Sequence, residues 1–104
     1  MKTYEGMFLI NPELDEDSLE KEVSAIKNEI EKENGEVVDV RKQGKRKLAY
    51  PIDKKTHANY VIIYFKSPTT VLDGLKRKFR LNQNIMRSLI FIKDKNLPLN
   101  DIKD

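Results

Sequence analysis

The chain contains no cysteine. That excludes a disulfide framework and a thiolate zinc site, and it fits a reducing compartment. Histidine is nearly as scarce: His57 is the single one, and it has no acidic neighbour in sequence. A nucleophile–base pair has little to be built from. The four glycines are scattered and cannot form a glycine-rich phosphate loop. The N-terminal segment offers one early cation, Lys2, and the short apolar run Met7-Phe8-Leu9-Ile10. This is too short for a signal-peptide core or a membrane span. Internal repeats and low-complexity tracts are absent as well. The expectation is a single soluble cytoplasmic domain with no enzymatic activity, no cofactor, no metal, no membrane attachment and no small-molecule substrate.

Charge is what the chain has in quantity, at 36% of 104 residues. It is unevenly spread. Residues 1–40 hold 4 basic and 12 acidic side chains, whereas residues 41–104 hold 16 basic and 5 acidic. The densest positive stretch includes Arg41, Lys42, Lys45, Arg46, Lys47, Lys54 and Lys55. Such an asymmetry suggests an acidic solvated part followed by one that faces a polyanion. Two ordinary solvated surfaces would look the same, so charge alone leaves nucleic-acid binding open.

Hydrophobic spacing supplies the fold. Tyr4 to Ile10 reads as a strand that is apolar on both faces and therefore central, ending at the turn signal Asn11-Pro12. Asp15 is placed to cap a helix, and Leu19, Val23, Ile26 and Ile30 form its apolar stripe. Asn34-Gly35 stops it, with Gly35 suited to the left-handed conformation beyond the end. Glu29 and Glu33, one turn apart, fit a solvated helix face better than a metal site. Val37 to about Lys47 is a polar strand suited to an edge, with Gly44 marking a bulge. Leu48 to Thr56 reads as a connection. Asn59 to Phe65 is a second strand apolar on both faces. Ser67-Pro68 looks like a cap and first turn for a helix whose stripe is Val71, Leu72, Leu75 and Phe79. Arg87 to Ile92 is the last strand. Residues 94–104 read as a polar tail after a domain spanning 1–93.

The order strand, helix, strand, strand, helix, strand predicts an α+β, ferredoxin-like βαββαβ domain. It should have a four-stranded antiparallel sheet with two helices on one face. The opposite face has no element left to cover it. Strand phase places Met7, Leu9, Tyr60, Ile62 and Tyr64 there, extended by Leu89 and Phe91. An apolar patch of that size suits a protein contact. Base stacking on Tyr60 and Tyr64 is an alternative, as in RNA-recognition motifs. However, the basic-glycine-aromatic lead-in is replaced by Thr56-His57-Ala58-Asn59. Acylphosphatases share the fold class, but their anion-binding loop after the first strand is replaced by Asn11-Pro12-Glu13.

One stretch carries a specific resemblance: Gly44-Lys45-Arg46-Lys47-Leu48-Ala49-Tyr50-Pro51-Ile52. With Tyr4-Glu5, Asn11-Pro12 and Leu14, and with the spacing of elements over residues 2–93, it resembles the ribosomal protein numbered six of the bacterial small subunit. Asp53 departs from that pattern, where a small or basic residue is expected. Gly6 departs too, since a larger apolar residue would fill the core better. The resemblance implies a ribosomal role without catalysis. It implies binding to the central, platform domain of small-subunit ribosomal RNA as a heterodimer with ribosomal protein eighteen. It further implies that Lys2, Tyr4, Arg46, Lys47, Lys54, Lys55 and Arg87 meet phosphates and sugars, and that the apolar face and tail meet the protein partner. The reading from another class is a protein-interaction or regulatory module with no RNA ligand.

Overall fold

The computed structural model is described for residues 1–93, so the expected tail, 94–104, lies outside the described residues. Its elements are β1 (Lys2–Ile10), α1 (Glu16–Lys32), β2 (Glu36–Ile52), β3 (Lys55–Ser67), α2 (Leu72–Leu81) and β4 (Ile85–Ile92). The strands form one antiparallel sheet in the order β2-β3-β1-β4. This is the predicted ferredoxin-like arrangement. The two strands apolar on both faces occupy the centre, and polar β2 lies at an edge.

One face of the sheet packs under both helices. Phe8, Ile10, Val61, Ile63 and Phe65 are buried there against Val23, Ile26 and Ile30 of α1 and Leu75 and Phe79 of α2. Phe8 meets Phe79 edge-on, with ring centroids 5.1 Å apart, a geometry favoured by the ring quadrupoles. Gly6 belongs to this face, and the expectation that a larger residue would fit better is wrong. A Cβ there would lie 2.8 Å from Cε2 of Phe8. The Phe8 ring already fills that space.

The helix ends differ from their predicted chemistry in instructive ways. Asp15 caps α1 as expected, its carboxylate accepting from the Ser18 backbone N–H at 2.8 Å. At the other end Asn34, not Gly35, adopts the left-handed conformation, with φ of 66°. Gly35 instead allows a close approach. A Cβ on it would fall 2.6 Å from Cγ2 of Ile30 and 3.0 Å from the Lys66 carbonyl oxygen. Ser67 does not cap α2. It is the buried last residue of β3, and its hydroxyl donates to the Pro68 carbonyl. A 3-10 turn, Thr69–Val71, intervenes before α2 begins at Leu72.

The largest departure is the connection read at Leu48 to Thr56. β2 continues to Ile52 and β3 starts at Lys55, so the turn is two residues long. Asp53 and Lys54 both have positive φ, 50° and 65°. That is the signature of a type I′ turn, whose twist matches the strands it joins. Three irregularities shape this hairpin, the first a register shift between Val37 and Asp39. Gly44, at φ of 81°, marks the expected bulge, where the register slips between Lys42 and Gly44. Farther on, Lys47 pairs with His57 and Ile52 with Lys55. Leu48, Ala49, Tyr50 and Pro51 therefore stand opposite Thr56 alone, outside the regular ladder. Pro51 has no N–H to contribute, and here the pairing does not require one.

Candidate nucleic-acid interface

The extruded segment folds back over the face that the helices leave bare. Leu48 is 7% exposed and packs with Leu9 and Ala58, flanked by Met7, Ile52, Tyr60 and Met86. The expectation that nothing covers this face is therefore corrected at the end where β1 finishes. Beyond Leu48, the Tyr50 hydroxyl accepts a 2.8 Å hydrogen bond from Arg87 on β4. The hairpin thus reaches from one edge strand of the sheet to the other.

Three guanidinium groups sit over tyrosine rings on this side. Arg41 lies 5.4 Å from the Tyr64 ring centroid, Arg46 5.9 Å from Tyr60 and Arg87 5.9 Å from Tyr50. Arg41 and Arg46 are five residues apart, which in an unbroken strand would put them on opposite faces. The bulge at Gly44 adds one residue and returns Arg46 to the face of Arg41. Their ladder partners, Ile62 and Ala58, lie on that face. Lys47, opposite His57, points the other way. His57 itself shares a 2.9 Å hydrogen bond with the Thr56 hydroxyl and is exposed.

The residues predicted to meet RNA divide into three groups. Arg46, Lys47, Lys54 and Arg87 are exposed. Among the described residues, none of these four forms an ion pair. The first three belong to the hairpin, and Arg87 is tied to it through Tyr50. Lys55 is partly buried and paired with Glu13 at 3.2 Å. Lys2 is exposed but lies at the far end of the sheet, opposite Ser67, whereas Lys47 is opposite His57. Ten residues of β3 separate those positions, roughly 33 Å at strand rise. Tyr4 is corrected: it is 1% exposed on the helix-covered side, its ring centroid 5.6 Å from that of Phe65. It has no surface to offer a ligand.

The predicted partner face is also smaller than its residue count suggests. Ile62 is 3% exposed and Tyr64 0%, and Leu9 lies beneath Leu48. Met7 and Tyr60 are half-buried. Leu89 and Phe91, at 43% and 51%, are the fully presented members, while Ile92, at 66%, is opposite Tyr4 and belongs to the other face. The accessible apolar surface has shifted to β4.

A polar cluster that periodicity does not reveal anchors the hairpin end of the sheet. Both amides of Asn82 and Asn84 donate to the Glu22 carboxylate, at 2.9 and 3.0 Å. The Asn11 N–H donates to the Asn84 carbonyl at 2.8 Å, and the buried Asn59 amide donates to the Asn11 carbonyl at 3.0 Å. The only trace of this in the sequence is the spacing Asn82-Gln83-Asn84. Glu29 and Glu33 prove to hold Lys78, at 3.0 and 3.3 Å. The two carboxylates push the Lys78 ammonium upward in pKa. Among the described residues, no cluster of three or more metal-ligating side chains occurs and no helix is long and apolar enough to cross a membrane.

Comparison with known proteins agrees with this architecture. The family model for ribosomal protein S6 matches residues 3–92. The small ribosomal subunit protein bS6 of Clostridium novyi is 40% identical over 90 residues, covering 86% of this chain and 95% of the relative. The bS6 of Campylobacter hominis is 42% identical over 89 residues, 86% of this chain, and this match spans 61% of that relative's length. A crystal structure of 30S ribosomal protein S6 from Thermotoga maritima superposes with a TM-score of 0.83 at 33% identity, covering 88% of this chain and 87% of that one. The chain therefore belongs to the ribosomal protein S6 family of the small ribosomal subunit.

Proposed function

We propose that this chain binds the central, platform domain of small-subunit ribosomal RNA together with ribosomal protein eighteen. The hairpin meets RNA and the β4 side of the sheet meets the protein. The observation that carries this reading is the concentration of Arg46, Lys47 and Lys54 on a hairpin whose twist, bulges and Leu48 anchor fix its direction. Unpaired cations on a preorganised arm lose little freedom on meeting phosphates. Phosphate contacts position a protein on RNA, and the shape of the RNA supplies most of the specificity when bases are not read. Leu89 and Phe91 give the protein partner an apolar surface apart from those cations.

The test is RNA binding by the preformed protein pair across a salt series. Arg46 can grip a phosphate with two parallel hydrogen bonds, whereas Lys47 acts as a mobile point charge. Arg46→Ala should therefore weaken binding more than Lys47→Ala. Each should flatten the logarithmic salt dependence by about 0.7 to 0.9 units if the side chain neutralises one phosphate. Protein pairing should survive both changes. Unchanged affinity and slope in the double variant would place the hairpin off the RNA.

A further inference from the structure

On the other side of β4 from β1, a groove of about 500 Å³ runs between that edge strand and α2. Lys76 and Arg80 of α2 form one wall, Arg87, Ser88 and Ile90 of β4 the other, and Phe79 the floor. We propose that this groove is a second RNA-backbone site, distinct from the hairpin and gripping a separate run of phosphates. The inference rests on the RNA-binding reading above and extends its footprint onto the helix layer.

Charge is the first argument. Lys76 and Arg80 are one helical turn apart, an arrangement in which like charges repel. Lys78, on the same helix, is compensated by Glu29 and Glu33. Among the described residues, no carboxylate pairs with Lys76, Arg80 or Arg87, and no acidic side chain lines the groove. Lys76 and Arg80 thus face the groove without internal compensation, whereas the Arg87 guanidinium turns to Tyr50 on the other face.

The strand edge is the second argument. The Lys93 N–H bonds to the Thr3 carbonyl at 2.8 Å. Antiparallel alternation from that pair turns the N–H and C=O of Ser88 and Ile90 away from β1 and toward the groove. A ribose–phosphate backbone satisfies both kinds of group: phosphate oxygens accept from N–H and from the cations, and 2′-hydroxyls donate to C=O. A neutral peptide strand would satisfy the edge but leave the cations unmet, and flanking cations are a known guard against such pairing.

The experiment compares Lys76→Ala/Arg80→Ala with Arg46→Ala/Lys47→Ala. Each is paired with ribosomal protein eighteen and titrated with a transcript of the platform domain at several salt concentrations. With one phosphate neutralised by each of Lys76 and Arg80, the groove variant should bind several-fold more weakly, its salt slope flattened by about 1.4 to 1.8 units. Its melting temperature should not fall, since no internal ion pair is removed. Wild-type affinity and slope in the groove variant, alongside weaker binding by the hairpin variant, would overturn the groove alone. Wild-type binding by both would overturn the RNA reading itself. Unchanged RNA binding with weakened pairing to the protein would assign the groove to a polypeptide and overturn the proposal equally.

Discussion

Arg87, on one edge strand of the sheet, donates a 2.8 Å hydrogen bond to the hydroxyl of Tyr50, which extends from the other. Its guanidinium also lies over the Tyr50 ring, 5.9 Å from the centroid. Tyr50 is exposed, so the bond competes with water and should stabilise only modestly. A double-mutant cycle of Tyr50→Phe and Arg87→Ala in urea should give a coupling of about 0.5–1 kcal/mol. A coupling indistinguishable from zero would mean that Leu48 alone holds the arm down.

Leu48 should matter more. It is almost fully buried between Leu9 and Ala58, although it sits in a segment that looks like a loop. Leu48→Ala is expected to cost about 2–3 kcal/mol, the lower part of the range for such truncations because the arm can settle toward the sheet. Ala49→Ser, at an exposed neighbour, should stay within about 0.5 kcal/mol. Chemical denaturation of the two variants checks the contrast. Equal losses would show that the extruded segment is not packed.

At the turn the expected effect has the opposite sign. Lys54 is an ordinary L-residue held at φ of 65°, where its Cβ crowds the backbone. Glycine removes that penalty but adds freedom to the unfolded chain. Lys54→Gly should therefore raise stability, by up to about 1 kcal/mol. The same change deletes an exposed cation and should flatten the salt dependence of RNA binding. A variant both more stable and weaker on RNA would separate the two roles of this position. A less stable variant would contradict the turn geometry.

Asp15 gives the chain an acid-sensitive joint. The Ser18 backbone N–H bonded to its carboxylate is the main reason that its pKa lies below the ordinary 3.8. A carboxyl with a depressed folded-state pKa contributes stability above its unfolded value and loses it as pH falls through the folded one. Asp15→Asn retains an acceptor for the cap and does not titrate. The stability difference between wild type and variant should be flat from neutral pH down to about 5, then move in the variant's favour below roughly 4. Paired acid titrations followed by circular dichroism would show it. Parallel curves throughout would remove Asp15 from the acid response.

The central strands and both helices were legible because their patterns are redundant. Phe8 and Ile63 announce one face, Leu9 and Ile62 the other, and only a middle strand can bury both. The hairpin was not legible, because Pro51 and the tetrad around it break alternation just where the chain leaves the ladder. Its buried Leu48 and bridging Tyr50 owe their positions to long-range contacts that periodicity does not encode. Asp53, which departs from the expected residue type, makes sense once its φ of 50° is known, since aspartate tolerates that conformation better than most residues. Tyr4 misled for another reason. Its assignment to RNA comes from the resemblance alone, and strand register places it beside Phe65 in the core.

The strand order also dictates when the protein can fold as it leaves the ribosome that made it. β1 is the first strand synthesised, yet its neighbours are β3 and β4, paired from Lys2 with Ser67 and from Tyr4 with Ile92. It must therefore wait, unpaired and apolar on both faces, until β3 has emerged, and its second edge stays open until β4 follows. The β2–β3 hairpin needs only its own two-residue turn, and such hairpins close in microseconds, faster than one residue is added. The arm proposed to reach the RNA can thus form before the sheet that anchors it. Loops of such length make the docking of β1 the slow, entropically expensive step. A chain stalled short of β4 would leave the outer edge of β1 open to pairing with another nascent copy.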